Sequence, residues 1–130
     1  MKTIEIEIIK DQRREIASID VDRKTNTLTF SMKCGATSTH TAEDLYLCLG
    51  SIRADFPEVT FLCKGAKLNV HPSRMTSQMA NGLVAYELRT GYATEEEDTV
   101  RIFDYEENDL TNNIEDQKSF YTSWLKSVTD

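Results

Sequence analysis

The residue in this sequence best suited to covalent chemistry is Cys63, because a thiolate is a strong nucleophile and two histidines could act as its base. His40 and His71 are those histidines, but neither has a spacing that pairs it with the thiol. Cys63 also closes an apolar run over residues 59–63, which is typical of a thiol buried in a core. We therefore expect a core cysteine, and a surface or capping role for His71.

Other catalytic and ligand-binding motifs are not evident. Lys64-Gly65 and Asn81-Gly82 are single turn glycines that match neither GxxxxGK[ST] nor GxGxxG, and a GxSxG elbow is missing. A metal site requires several converging ligands. The acids over 98–109 lack the spacing of an EF-hand, so a solvated acidic face is expected instead. We predict no catalytic residues, no metal and no cofactor.

Size and composition indicate one globular domain over residues 1–130, since 39% of the residues are hydrophobic and 28% are charged. Cys34, Cys48 and Cys63 are odd in number and lack CxxC spacing, which favours reduced, buried thiols over disulfides or zinc. The N-terminal residues alternate isoleucine with glutamate, and no apolar run approaches the roughly 18 residues of a membrane span. We expect a cytoplasmic protein without a signal peptide or membrane contact.

The formal net charge is −7, which argues against direct nucleic-acid binding because such proteins present a basic face. Residues 59–82 carry three bases and no acid, whereas residues 83–116 carry eleven acids and two bases, a net charge of −9. Such clustering costs self-repulsion. It indicates either a solubility feature or a docking surface for a basic protein. The candidate contact residues, chosen from charge alone, are Glu95, Glu96, Glu97, Asp98, Asp104, Glu106, Glu107 and Asp109.

The first third of the chain predicts antiparallel strands. Residues 4–8 alternate isoleucine with glutamate, which is typical of a half-buried strand. A second strand is expected over 16–21, with a phase break at Ala17-Ser18 that suggests a bulge. A third strand is expected over 27–32. Later strands are expected over 59–63, 83–89 and 99–105.

A first helix is expected after Thr41, which is a good N-cap, with Asp44 reaching back as in a capping box. This interpretation leaves His40 in a loop. Gly50 weakens the helix by about 1 kcal/mol relative to alanine and indicates a close approach to the sheet. Apolar residues at 45, 49, 52 and 56 give the helical spacing.

Two more helices are expected. A short one near residues 73–80 contains Met75 and Met79, which are either core filler or an adaptable contact patch. The last helix begins after Asn113, and its apolar face is expected to comprise Phe120, Tyr121, Trp124, Leu125 and Val128. These elements together predict an α+β fold, with a mostly antiparallel sheet and about three helices packed on it.

Residues 61–128 carry a pattern that is distinctive as a whole and covers a little over half of the chain. It comprises Phe61-Leu62-Cys63-Lys64-Gly65-Ala66-Lys67, Asn69-Val70, Pro72-Ser73, Met75, Gln78-Met79, Gly82, Ala85-Tyr86, Val100-Arg101-Ile102-Phe103-Asp104, Gln117, Phe120 and Trp124. This pattern resembles small immunity proteins of bacterial contact-dependent growth inhibition systems.

The resemblance implies a cytoplasmic antidote that binds the C-terminal toxin domain of a cognate effector and blocks its active site or substrate surface. Toxins of this kind are often nucleases, whose basic surface an acidic inhibitor would complement. The family brings no catalytic residues. Two other functions stay open: a small enzyme or ligand-binding domain using the segment 63–79, from Cys63 to Met79, and an acidic adaptor without a toxin partner.

Overall fold

The computed structural model of the chain describes residues 1–129. Those residues form two antiparallel sheets, one of five strands and one of three, together with three helices, so the α+β prediction is confirmed. The elements are β1 Lys2–Lys10, β2 Arg13–Asp22, β3 Thr27–Ser31, β4 Thr37–Thr41, α1 Leu45–Asp55, β5 Thr60–Phe61, β6 Val70–His71, α2 Arg74–Met79, β7 Val84–Glu87, β8 Thr99–Arg101 and α3 Ile114–Thr129.

The five-stranded sheet has the order β4-β3-β2-β1-β5. A two-residue turn joins β1 to β2, and both Asp11 and Gln12 have positive φ, as a type I′ hairpin turn requires. The register runs without interruption from Lys2 opposite Val21 to Lys10 opposite Arg13. The predicted bulge at Ala17-Ser18 is therefore wrong: the phase break arises because an isoleucine at 16 faces the exposed side of the sheet.

The core lies between one face of this sheet and α1. Alternate residues of β1, β2 and β3 point inward, including Ile8, Ile19 and Phe30, which are inaccessible to solvent. Leu49 and Ile52 of α1 are equally buried on the facing side. Burial of large apolar side chains at about 1.5–3 kcal/mol each provides the main stabilisation of this layer.

The helix α1 begins later than its sequence predicts. Thr41 belongs to β4 and pairs with Thr27, so the N-cap is Asp44, whose Oδ1 accepts a 2.8 Å hydrogen bond from the amide of Leu47. His40 is likewise in β4 and not in a loop. Pairing with β3 satisfies the backbone of 37–41, and this outweighs the capping preference of a threonine.

The second sheet has the order β6-β7-β8. β7 and β8 are shorter than the predicted strands 83–89 and 99–105, and β6 was not predicted. The chain leaves β8 after Arg101 and crosses to residues 62–65, where the amide of Lys64 donates to the carbonyl of Asp104 at 2.8 Å. Cys63 forms an isolated bridge with Tyr105 in the same crossing. These bonds replace the extra ladder bonds that a longer β8 would have made.

The last helix, α3, follows Asn113 as predicted, and Oδ1 of Asn113 accepts from the amide of Glu115 at 2.9 Å. Trp124 is buried, but Leu125 is exposed, so the predicted five-residue face is only partly correct. Gly50 does mark a close approach, although to Ile114 at the start of α3 and not to the sheet. A Cβ on Gly50 would collide with the Ile114 side chain.

Candidate partner-binding surface

Cys63 is not placed for nucleophilic chemistry. Its side chain is inaccessible, and burial raises the pKa of its thiol to about 11, so the thiolate is disfavoured at neutral pH. Neither histidine is hydrogen-bonded to it, since His40 contacts Asp55 and His71 contacts a backbone carbonyl. The core-cysteine interpretation is confirmed for Cys63. Cys48 is buried as expected, but Cys34 is exposed.

His71 is a packing residue, which corrects the expectation of a surface or capping role. Its ring stacks on Tyr121 of α3 with centroids 4.1 Å apart, and the ring of Tyr46 in α1 lies 5.3 Å away. Its Nδ1 lies 2.6 Å from the carbonyl oxygen of Pro72, and burial lowers the pKa of the imidazole. The neutral imidazole ring therefore packs between Tyr46 of α1 and Tyr121 of α3.

The first acidic run, residues 95–98, forms a 3₁₀ turn with one acid directed inward. The Asp98 side chain is 12% exposed, and its Oδ2 accepts a 2.9 Å hydrogen bond from the amide of Glu95. Its Oδ1 lies 3.4 Å from the guanidinium of Arg89. Glu95, Glu96 and Glu97 are exposed. Asp98 thus holds the turn while its three neighbours face solvent.

The second acidic run, residues 104–109, is organised in the same way around Glu106, whose side chain is only 7% exposed. Its Oε1 accepts from Lys64 at 2.9 Å and lies 3.0 Å from Lys67. Its Oε2 accepts from the backbone amides of Glu107 and Asn108, each at 2.9 Å. Burial alone would raise the pKa of Glu106, but these bonds outweigh burial and lower it to about 2. Glu106 therefore anchors the run and does not face solvent.

The exposed members of this second run are Asp104, Glu107 and Asp109. Glu107 is partly neutralised, because its Oε2 accepts from the hydroxyl of Tyr105 at 2.8 Å and lies 3.4 Å from a guanidinium nitrogen of Arg14. We call the six exposed acids of the two runs the outer acidic set: Glu95, Glu96, Glu97, Asp104, Glu107 and Asp109.

Two of the three bases in residues 59–82 are less exposed than the net charge of this segment suggests. Lys64 and Lys67 turn toward Glu106 and also toward Glu87 of β7, whose Oε1 lies 2.5 Å from Lys64. Part of the charge segregation in the sequence is therefore neutralised inside the fold. Sequence reasoning missed this cluster because its members are 23 and 42 residues apart along the chain.

The methionines of α2 are not core filler. Met75 is 70% exposed and Met79 is 79% exposed, and none of the residues of α2 is buried. A capping box between Ser73 and Thr76 fixes the start of the helix. The adaptable-patch alternative therefore stays open for these two side chains.

No protein-family model and no curated protein matches the chain. Within residues 1–129, no three His, Cys, Asp or Glu side chains are grouped so as to hold a metal ion. No helix in this described part of the chain is both long and apolar enough to cross a membrane.

Proposed function

We propose that the protein acts by binding, and that its partner is the basic toxin domain of a contact-dependent growth inhibition effector, which it neutralises in the cytoplasm. The family in this proposal, the immunity proteins of these systems, is taken from the resemblance of residues 61–128 to its members. In this proposal the protein itself catalyses no reaction, and inhibition comes from covering the active or substrate-binding surface of the toxin.

The observation that carries the proposal is that the two acidic runs, residues 95–98 and 104–109, are organised in the same way. In each run one buried or nearly buried acid, Asp98 or Glu106, is bonded to cations and backbone amides. The neighbouring acids are thereby held outward before any partner arrives. Fixing a charged loop in advance reduces the ordering cost of association. A segment that served solubility alone would not require such anchoring.

Electrostatics supports a basic partner. A nuclease toxin presents cations where it binds phosphate, and an acidic surface that replaces the phosphates competes with substrate. Complementary charges also increase the association rate, with a strong dependence on salt. The alternative of an enzyme using the segment 63–79 is less favoured, because Cys63 is inaccessible and its pKa is raised.

The test is coexpression with the product of the adjacent gene, followed by copurification, a nuclease assay and rate measurements at two salt concentrations. Neutralising Glu95, Glu96 and Glu97 to glutamine is expected to slow association several-fold at low salt. Changing Asp104 and Asp109 to asparagine and Glu107 to glutamine is expected to slow it more, because these acids lie in the segment that bridges to the buried residue Cys63 through Tyr105 and are better placed to be desolvated.

The matched control neutralises three exposed acids outside both runs, Glu43, Glu58 and Glu115, and so removes the same charge. Its association rate is expected to stay close to that of the unmodified protein. If the control and the two test variants all slow association equally, only net charge matters. If none changes the rate, the interface lies elsewhere, and Met75 and Met79 become the next candidates.

A further inference from the structure

The strand β4 forms one edge of the five-stranded sheet, and part of its backbone faces outward. The amide of Ala42, directly after β4, donates to the carbonyl of Asn26, directly before β3, at 3.2 Å. Bonded and non-bonded pairs alternate in an antiparallel ladder, so residues 38 and 40 also bond to β3. The amides and carbonyls of Thr37, Thr39 and Thr41 therefore point away from β3, and no group of residues 1–129 pairs with them.

This edge lacks the features that usually prevent one chain from pairing with another, which are prolines, lysines, bulges and very short strands. β4 has five residues, whereas the edge strands β5, β6 and β8 have two or three. Residues 37–41 contain no proline and no lysine, and their register with β3 is continuous. The other side of the β3–β4 hairpin is equally free of charge, because Lys33 is the only lysine, arginine or acid in residues 25–42. In a chain of net charge −7, two copies can therefore approach at this edge with little repulsion.

The inner face of β4 is tied to the end of α1. Oδ2 of Asp55 accepts a 2.6 Å hydrogen bond from the hydroxyl of Ser38 and lies 2.6 Å from Nε2 of His40. These two contacts lie on either side of Thr39, so the middle of the strand is held in place before any partner binds. Holding an edge strand in advance reduces the ordering cost of pairing with it.

The outer face of β4 already pairs threonine with threonine. Oγ1 of Thr39 lies 3.0 Å from Oγ1 of Thr29, and Oγ1 of Thr41 lies 2.6 Å from Oγ1 of Thr27. Hydroxyl pairs of this kind stabilise neighbouring antiparallel strands. Threonine occupies every second position of residues 37–41, so an antiparallel copy of β4 centred on Thr39 again places threonine opposite threonine. A second copy of the chain thus repeats the pairing that β3 and β4 make.

We propose that two copies of the chain pair through β4, antiparallel and centred on Thr39, and join their five-stranded sheets into one continuous sheet. Thr37 of each copy lies opposite Thr41 of the other, and the outward amides and carbonyls bond across the two-fold axis. The second acidic run bridges to Cys63 after β5, at the opposite edge of the sheet. Dimerisation is therefore independent of toxin binding, and its failure would leave the toxin proposal untouched.

Sedimentation velocity of the isolated protein tests the dimer. The paired edge is short, and interfaces below roughly 1,200 Å² are usually weak, so the measurement covers about 10 µM to about 1 mM protein. The mass is expected to rise with concentration from that of one chain toward that of two. A mass that stays at one chain throughout overturns the proposal and leaves β4 open to an extended segment of another protein.

Thr39→Pro removes the central outward amide, and it is expected to weaken dimerisation tenfold or more, because about two hydrogen bonds are lost across the axis. That amide makes no bond to β3, so the fold is expected to survive, as the denaturation midpoint will show. The matched control is Thr39→Val, which keeps the amide and removes only the hydroxyl. It is expected to dimerise within a few-fold of the unmodified protein. Equal dimerisation by both variants overturns the pairing.

Thiol crosslinking tests the register without relying on the proline variant. Thr39→Cys is made together with Cys34→Ser, because Cys34 is exposed. The two introduced thiols then lie opposite each other, with Cα atoms about 5.5 Å apart, which a disulfide spans. The control is Thr29→Cys in the same background, one strand further from the axis. Rapid oxidation to a covalent dimer is expected for position 39 alone, and equal crosslinking at both positions, or none at 39, overturns the proposal.

Discussion

Arg53 in α1 donates a 2.6 Å hydrogen bond to Oε1 of Gln117 in α3, and both side chains are inaccessible to solvent. Gln117 in turn donates from Nε2 to the carbonyls of Gly65 and Lys67, each at 2.9 Å. Arg53 forms no ion pair with a carboxylate within residues 1–129. Arg53 also donates to the carbonyl of Thr111. The acceptors of this buried cation are therefore neutral oxygens, and burial lowers the pKa of its guanidinium.

Replacing Gln117 with leucine is expected to lower the free energy of unfolding by about 1.5–3 kcal/mol, because it removes a hydrogen bond to a buried charged group. It also removes the Nε2 donor from the carbonyls of Gly65 and Lys67, of which the second still accepts from the amide of Val70 at 3.1 Å. Urea denaturation followed by tryptophan fluorescence measures the change.

The double variant R53M/Q117L separates charge from packing. Removing both partners leaves no orphaned cation, so the loss is expected to be smaller than the sum of the two single losses. Strict additivity would mean that the two side chains stabilise the fold independently.

The sequence predicted Trp124 and missed Gln117 for one physical reason. Helical periodicity identifies buried apolar residues, but it does not show which polar residues on the same face are buried with them. Gln117 is seven residues before Trp124, and therefore two turns away on one face of α3. The spacing between Gln117 and Trp124 was the signal available in the sequence. The hydrogen-bond partner of Gln117 is Arg53, which is 64 residues away, and only the fold brings these two side chains together.

Glu106 is expected to make the free energy of unfolding depend on pH. Its pKa is lowered from 4.5 to about 2, so its ionised form is favoured in the folded protein. Its contribution is present above pH 4.5 and is lost as pH falls toward 2. Glu106→Gln is expected to destabilise the protein at pH 7 and to flatten the stability curve over that window.

The matched comparison is Glu97→Gln, an exposed acid of the other run that lacks such partners. Its stability curve is expected to follow that of the unmodified protein. Equal curves for both variants would show that Glu106 is not the group responsible.

Trp124 stabilises α3 and the loop before the first acidic run. The residue is 8% exposed, and its Nε1 donates to the carbonyl of Tyr92 at 2.8 Å. Trp124→Ala is expected to cost about 3–5 kcal/mol in unfolding free energy. Trp124→Phe keeps most of the packing and is expected to cost less. A small effect of the alanine variant on the denaturation midpoint would contradict this role.

Unlike Trp124, the exposed methionines are expected to contribute little to stability. Changing Met75 and Met79 to serine is expected to alter stability by less than about 0.5 kcal/mol, because neither side chain is buried. If toxin affinity nevertheless falls, the two side chains are contact residues. A large loss of stability would mean that α2 is packed more closely than its exposure indicates.

The positions of β1, β2 and β3 followed from alternation, whereas β4 and β6 were not predicted and the outward or inward direction of each acid was not predictable. Residues 4–8 alternate, so their buried side was predictable. Glu106 and Glu107 are adjacent and identical in type, yet only one meets Lys64 and Lys67. That difference depends on the chain crossing from β8 to residues 62–65, and no local pattern encodes it.

Asp98 gives the sharpest test of anchoring within the toxin-binding proposal. Asp98→Ala and Glu96→Gln each remove one negative charge from the same turn, so long-range steering changes equally. Only Asp98→Ala also removes the bonds to the Glu95 amide and to Arg89. Amide hydrogen exchange over residues 95–98 of the free protein is therefore expected to rise in that variant alone.

Toxin affinity is expected to follow the same order. Asp98→Ala is expected to weaken binding several-fold more than Glu96→Gln, because the loosened turn must be ordered again when the partner binds. Faster exchange with equal affinities would show that the turn is anchored for a reason other than binding. Unchanged exchange in Asp98→Ala would mean that other contacts hold the turn.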